Sequence, residues 1–144
     1  MGDLLANRVL VVAVLAWAVA QTLKVLIYVT HERRINLRYL ASSGGMPSSH
    51  SALVTALATG VAHTEGAQSP LFAVAALFAA VVMYDAAGVR QAVSIQARIL
   101  NRMLDEIFME HAFNEKRLRE LIGHTPVEVF AGAVLGFAVA LAFL

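Results

Sequence analysis

The stretch from Val9 to Val29 constrains the fold more than any other part of the chain, because it contains no acidic residue and only one basic residue, Lys24. At about 1.5 Å per residue, a helix of this length crosses the ~30 Å hydrocarbon core of a bilayer. Apolar residues make up 59% of the chain, whereas soluble domains are about 45–50% apolar. Three further apolar segments follow, at residues 51–63, 70–84 and 126–144. The sequence therefore predicts an all-α polytopic membrane bundle of about four membrane helices in a single domain, residues 1–144.

Between Val89 and Phe113 the pattern becomes amphipathic, with apolar residues at helical spacing and charged residues between them. This pattern predicts a helix that lies at the membrane surface. The alternative is a soluble hairpin formed with the charged run Glu115–Arg119. The apolar positions are Val89, Val93, Leu100, Leu104, Ile107 and Phe108, and the charged ones are Arg90, Arg98, Arg102, Asp105, Glu106 and Glu110.

Lysine and arginine counts predict the orientation of the bundle. Nine of these cations lie in two long connections, residues 31–50 and 86–123, whereas the opposite side has only Arg8. Because basic loops stay in the cytoplasm, both connections are predicted to be cytoplasmic. The expected location of the protein is a bacterial inner membrane. The net charge of +1 without a separate basic face argues against nucleic acid as a partner.

The stretch SSGGMPSSHSA, residues 42–52, is the most polar and turn-prone part of the chain and precedes an apolar segment. Pro47 suits the first turn of a helix and the serines suit its cap, so a helix is predicted to begin there. The free N–H groups of its first turn would bind phosphate, with Gly45 allowing close approach and Ser48 and Ser49 beside it. His50 lies in that turn. The alternative is an ordinary capped helix with a histidine at the interface.

Two charged residues lie inside or at the end of apolar segments. Lys24 is a functional candidate because a lysine in a membrane span is costly, although it could also extend to the headgroups. Asp85 ends the third segment and needs a partner, which Arg90 could supply. The alternative role of that pair is to hold the loop.

The stretch RELIGHTPVEV begins the last apolar segment. Thr125 and Glu128 have the spacing of a capping box. That purely structural reading of Glu128 leaves His124 unexplained, and His124 could face the same cavity as His50.

Two histidines, a lysine, arginines and a helix N-terminus together indicate phosphoryl transfer, which depends mainly on positioning and charge stabilisation. One histidine would attack phosphorus and the other would protonate the leaving oxygen. This chemistry needs no metal or other cofactor, and we expect none. A metal site formed by the two histidines and Asp85 is the alternative, although its spacing matches no known ligand motif.

GGMPSSHSA, VMYDAAGVR with QARILN after it, and ELIGHTPVEV occur in this order along the chain. Together they resemble the divergent branch of the type-2 phosphatidic acid phosphatase superfamily, which is related to acid phosphatases and vanadium-dependent haloperoxidases. The resemblance extends from about Gln21 to Gly136. It implies a helical membrane bundle, a metal-independent phosphatase and a lipid phosphate or pyrophosphate as substrate.

The resemblance also implies roles for individual residues. Lys24 and Arg33 would bind phosphate. Pro47-Ser48-Ser49-His50 would form the second motif, with His50 as the general acid. His124 would be the nucleophile that forms a phosphohistidine, and Glu128 stands where an orienting aspartate is expected.

The chain departs from the superfamily pattern at several positions. Lys24 and Arg33 are further apart than usual, Ser49 replaces a glycine, and Arg119 is one position too close to His124. Arg90 is the candidate replacement for the missing arginine. A non-catalytic membrane protein that binds phosphate or lipid headgroups is therefore the alternative function, and a vanadate-dependent peroxidase is a more distant one.

Gly132 and Gly136 form a small-xxx-small pattern that allows two helices to approach closely. The pattern fits a homodimer contact, as in an assembly subunit, or close packing inside one bundle.

Overall fold

Small residues in the helix that begins at Ser49 allow three other helices to pack around it. A computed structural model describes residues 5–32, 45–107 and 124–144 of the chain. In these ranges the structure is helical, with no β-strand. The helices are α1 (Arg8–Glu32), α2 (Ser49–Glu65), α3 (Pro70–Ala87), α4 (Val89–Ile107) and α5 (Pro126–Phe143). The structure thus confirms the all-α fold class.

Side-chain caps, at Ser48, Ser69 and Thr125, determine where α2, α3 and α5 begin. Ser48 Oγ accepts a hydrogen bond from the N–H of Ser51 and caps α2, and Ser69 caps α3 in the same way. Pro70 then occupies the first turn of α3, where its missing N–H has no helical partner to lose. The prediction that Pro47 lies in the first turn of α2 is wrong, because Ser48 is the N-cap and Pro47 precedes it.

Three helices are long and apolar enough to cross a membrane among the residues that the structure describes. They are Arg8–Thr30 of α1, the whole of α3 and the whole of α5. Helix α2 is shorter, with 17 residues. It lies between α1, α3 and α5, so a fourth crossing by α2 would be lined largely by protein. A helical membrane bundle follows, with α2 as its central helix.

Two sets of contacts define the direction of the helices. At one end, a Cβ atom built on Gly60 of α2 would lie 2.7 Å from Val9 Cγ1 and 3.2 Å from Leu144 Cδ1. At the other end, the N–H of Ser48 donates to the carbonyl oxygen of Glu128 at 3.0 Å. The beginnings of α2 and α5 therefore lie together, these two helices run in parallel, and α1 runs opposite to both.

The closest helix contact joins α2 and α5. A Cβ atom on Gly132 would lie 2.2 Å from the carbonyl oxygen of Ser48, and one on Gly136 would lie 2.2 Å from that of Ala52. Only glycine fits at these two positions, because the neighbours are backbone atoms. Both glycines are buried against α2, which is the close packing inside one bundle that the pattern allows, and the homodimer contact stays a prediction.

Small side chains fill the core on both sides of α2. One buried cluster joins α1, α2 and α5, and a second joins α2 and α3. Large apolar side chains on α3 and α5 point away from the bundle instead, as expected for surfaces that contact lipid. The buried members are Val12, Ala13, Ala16, Ala56, Val139 and Ala140 in the first cluster, and Val54, Ala58, Val61, Ala75 and Ala79 in the second.

Replacing Gly136 by valine is expected to destabilise the bundle by about 3 kcal/mol or more, because the added side chain overlaps the backbone of Ala52. Ala138→Val is the matched control, since Ala138 is exposed on the same helix. Equilibrium unfolding in mixed micelles, followed by circular dichroism, measures the difference. Equal stability of the two variants would contradict the proposed α2–α5 contact.

Candidate functional site

The candidate site lies at the end of the bundle where α2 and α5 begin. The hydrogen bond from the N–H of Ser48 to the carbonyl oxygen of Glu128 fixes the two helix starts relative to each other. Because α3 runs antiparallel to α2, its last turn, which contains Asp85, reaches the same end. The second half of α1 brings Lys24 there as well. These polar residues therefore lie at one end of the bundle.

Buried hydroxyl groups surround the start of α2. Ser48, Ser49 and Ser51 are buried, although each carries a polar side chain. Ser51 Oγ lies 3.0 Å from Ser48 Oγ, and Ser48 Oγ accepts from the N–H of Ser51 at 3.3 Å. The first N–H groups of a helix have no partner within it, and the helix dipole makes this end positive. The start of α2 therefore offers donors suited to an anion.

One carboxylate oxygen connects His124 to the first turn of α5. Glu128 Oε2 lies 3.1 Å from His124 Nδ1 and also accepts a hydrogen bond from the N–H of Thr125 at 3.0 Å. Thr125 Oγ1 in turn accepts from the N–H of Glu128 at 3.3 Å, which completes the capping box. The structural and the functional readings of Glu128 are therefore compatible.

The contact with Glu128 also selects the tautomer of His124. A carboxylate can only accept a hydrogen bond, so in a neutral imidazole the proton is assigned to Nδ1 and the lone pair to Nε2. The side chain of His124 is buried, including Nε2. A nitrogen in this state can act as a base or as a nucleophile.

Lys24 is only 3% exposed, so it lies inside the bundle and does not extend to the headgroups. Its stem packs close to Gly45, in the loop before α2. A Cβ atom on Gly45 would lie 3.2 Å from Lys24 Cγ and 3.3 Å from Lys24 Cδ. The functional role of Lys24 stays a prediction.

Of the remaining predicted residues, the structure describes the side chains of two, His50 and Asp85. His50 is the second residue of α2 and is half-buried, with its Nδ1 atom buried. Asp85 is half-buried in the last turn of α3. Arg90 belongs to the first turn of α4, but its side chain lies outside the described part of the chain, as do Arg33 and Arg119.

Two residues of the site were not predicted from the sequence. Ser51 adds a buried hydroxyl beside Ser48, and the signal for it was the third serine of the SSHS run. Thr125 was predicted only as a cap, yet its N–H shares Glu128 Oε2 with His124. The spacing of four residues between His124, just before the helix, and Glu128, in its first turn, was the signal for that contact.

A family described as "Divergent PAP2 family" matches residues 5–139, nearly the whole chain. The chain belongs to this family. A protein of similar length, the "Uncharacterized membrane protein YuiD" of Bacillus subtilis (strain 168), is 41% identical over 150 residues. The match covers 96% of this chain and 95% of the Bacillus protein. No solved structure matches the chain. Membership in the divergent PAP2 family confirms the resemblance found in the three motifs and supports an integral membrane protein.

Replacing Gly45 by alanine is expected to weaken the site for two reasons. Gly45 has a φ of 96°, which side-chain-bearing residues rarely adopt, and a methyl group there would crowd the stem of Lys24. Gly66→Ala is the matched control, because Gly66 has a φ of 85° but no atom within 4 Å of its Cβ position. Backbone strain alone costs about 1–3 kcal/mol in either variant.

Vanadate binding to the purified variants, together with their unfolding free energies, measures the two effects separately. We expect Gly45→Ala to reduce vanadate affinity and Gly66→Ala to leave it unchanged. Equal affinities in the two variants would show that the contact between Gly45 and Lys24 has no part in anion binding.

Proposed function

We propose that this protein is an integral membrane phosphatase that hydrolyses a lipid phosphate or pyrophosphate through a phosphohistidine at His124, without a metal or other cofactor. The observation that carries the proposal is the buried His124 ring, whose Nδ1 faces Glu128 Oε2 at 3.1 Å. This contact leaves the lone pair on Nε2, the atom that must attack phosphorus. The serine-rich start of α2, fixed to Glu128 by a backbone hydrogen bond, supplies donors for the phosphate.

In the first half of the proposed reaction, His124 Nε2 attacks the phosphorus atom. The N–P bond forms while the bond from phosphorus to the leaving oxygen breaks, and protonated His50 donates its proton to that oxygen. Glu128 stabilises the positive charge that develops on the His124 ring. Lys24, Arg33 and the first N–H groups of α2 hold the phosphoryl oxygens. We assign Asp85 the role of orienting Arg90, which would replace the arginine missing from the third motif.

In the second half, water attacks the phosphorus atom and the N–P bond breaks. His50, now neutral, accepts a proton from the attacking water, and inorganic phosphate is released. His124 then returns to its starting tautomer, with the proton on Nδ1 held by Glu128. Each group thus ends the cycle in the protonation state in which it began.

The nine cations of the two long connections support a cytoplasmic location for this end of the bundle, in a bacterial inner membrane. The substrate would then reach the site from the cytoplasmic leaflet. The phosphate of a membrane lipid lies at the headgroup layer, where the beginnings of α2 and α5 would lie in this orientation.

A second candidate function is the binding of phosphate or lipid headgroups without turnover. It is favoured by the capping box, because Glu128 stabilises the start of α5 whether or not His124 reacts. The departures of the first and third motifs from the superfamily pattern also favour binding without turnover. The same cations and helix start would serve this function.

Phosphate release by the purified protein in detergent, from a panel of lipid phosphates with EDTA present, tests the proposal. His124→Ala is expected to abolish release, because it removes the nucleophile. His50→Ala is expected to lower kcat by about 10²–10⁴, because it removes the proton donor. His63→Ala is the matched control, since His63 is exposed near the other end of α2.

Release that continues in His124→Ala would refute the phosphohistidine mechanism. No release by the wild type from any lipid, with vanadate still bound, would support the binding function instead. Release in a parallel assay without EDTA, but not with it, would show that a metal is required, against the proposal.

A further inference from the structure

Helix α4 begins where a membrane-crossing helix ends. Only Gly88 separates α3 from α4, and its N–H donates to the carbonyl oxygen of Tyr84 at 2.8 Å, which caps α3. Because α3 is long and apolar enough to cross a bilayer, its last turn lies near one edge of the hydrocarbon layer. The first turn of α4 must lie at nearly the same depth, on the same side as the candidate site.

The apolar side chains of α4 are not covered by the rest of the described chain. Val93, Leu100 and Met103 lie on one face at spacings of seven and three residues, and they are 43%, 48% and 52% exposed. Ala97 and Asn101 lie on another side of α4 and are buried. An exposed apolar face of this length requires a partner.

Arg98 and Arg102 lie on the side of α4 away from Val93 and Leu100, and exposed Ile95 lies seven residues before Arg102. Arg98 and Arg102 are exposed and four residues apart, so they lie side by side. With these charges, α4 is not among the helices of the described chain that could cross a membrane. A helix with one apolar and one basic face, attached to the end of a membrane span, has the features of an interfacial helix.

We infer that the apolar face of α4 inserts into the lipid leaflet next to the candidate site, with Arg98 and Arg102 at the headgroup phosphates. The occupant of this face is the bilayer, because the face continues a surface that lipid must already cover. On α3, Leu77, Val81 and Tyr84 are 69%, 66% and 78% exposed along the end that leads to α4. The inference is independent of the proposed phosphatase activity, since it concerns only how the chain sits in the membrane.

The chain has no cysteine, so a single introduced cysteine carries a spin label at one defined position. The full-length protein is labelled at V93C, L100C, M103C, R98C or R102C and reconstituted into vesicles of zwitterionic and anionic phospholipid. Collision rates with oxygen, which concentrates in the bilayer, and with a water-soluble nickel chelate are then compared. Val74→Cys on α3 provides the lipid reference and Gln68→Cys in the exposed loop provides the water reference.

We expect labels at positions 93, 100 and 103 to collide more with oxygen than with nickel, as at position 74. At positions 98 and 102 the order should reverse, as at position 68. Collision with nickel at position 100 equal to that at position 102 would overturn the inference and indicate a soluble helix. Protection from both reagents at positions 93, 100 and 103 would overturn it too, and would indicate that protein covers this face. Unchanged circular dichroism and size-exclusion profiles verify that each labelled variant is folded.

Discussion

A single carboxylate oxygen, Glu128 Oε2, connects the fold of this protein to its candidate chemistry. It accepts from the N–H of Thr125, which stabilises the start of α5, and it faces Nδ1 of His124, which orients the buried ring. Glu128 completes the capping box of α5, so it would stabilise the helix without any reaction. The histidine contact uses the same atom in the same position. The site therefore needs no separate scaffold to hold His124.

Close packing of α2 against α5 brings the other half of the site to this point. Because Gly132 and Gly136 have no side chain, the backbone of α5 can approach the backbone of α2 closely. The backbone hydrogen bond between Ser48 and Glu128 depends on this approach. Lys24, buried over Gly45, then closes the arrangement from α1. Helix packing, the helix caps and the charged residues thus depend on one another at one end of the bundle.

Much of the fold could be predicted from the sequence, because apolar runs, proline and capping residues act locally. The starts of α3 and α5 at Pro70 and Pro126 agree with the prediction. The start of α2 differs, because Ser48 caps the helix and Pro47 lies before the cap instead of in the first turn. The burial of Lys24 could not be predicted, since it depends on a loop that is distant in sequence. The two simultaneous roles of Glu128 could not be predicted either, because spacing alone does not show which atom each donor contacts.

The most direct test of this account is to trap the phosphoryl group on the enzyme. The protein is mixed with a lipid phosphate labelled on phosphorus, quenched in base within the first turnovers and digested, and the peptides are mapped by mass spectrometry. We predict an acid-labile, base-stable phosphoryl group on His124 that is lost in Glu128→Ala or much reduced, because the ring is no longer oriented. Turnover by the wild type with no phosphoryl group on His124, or with one on His50 instead, would contradict the account.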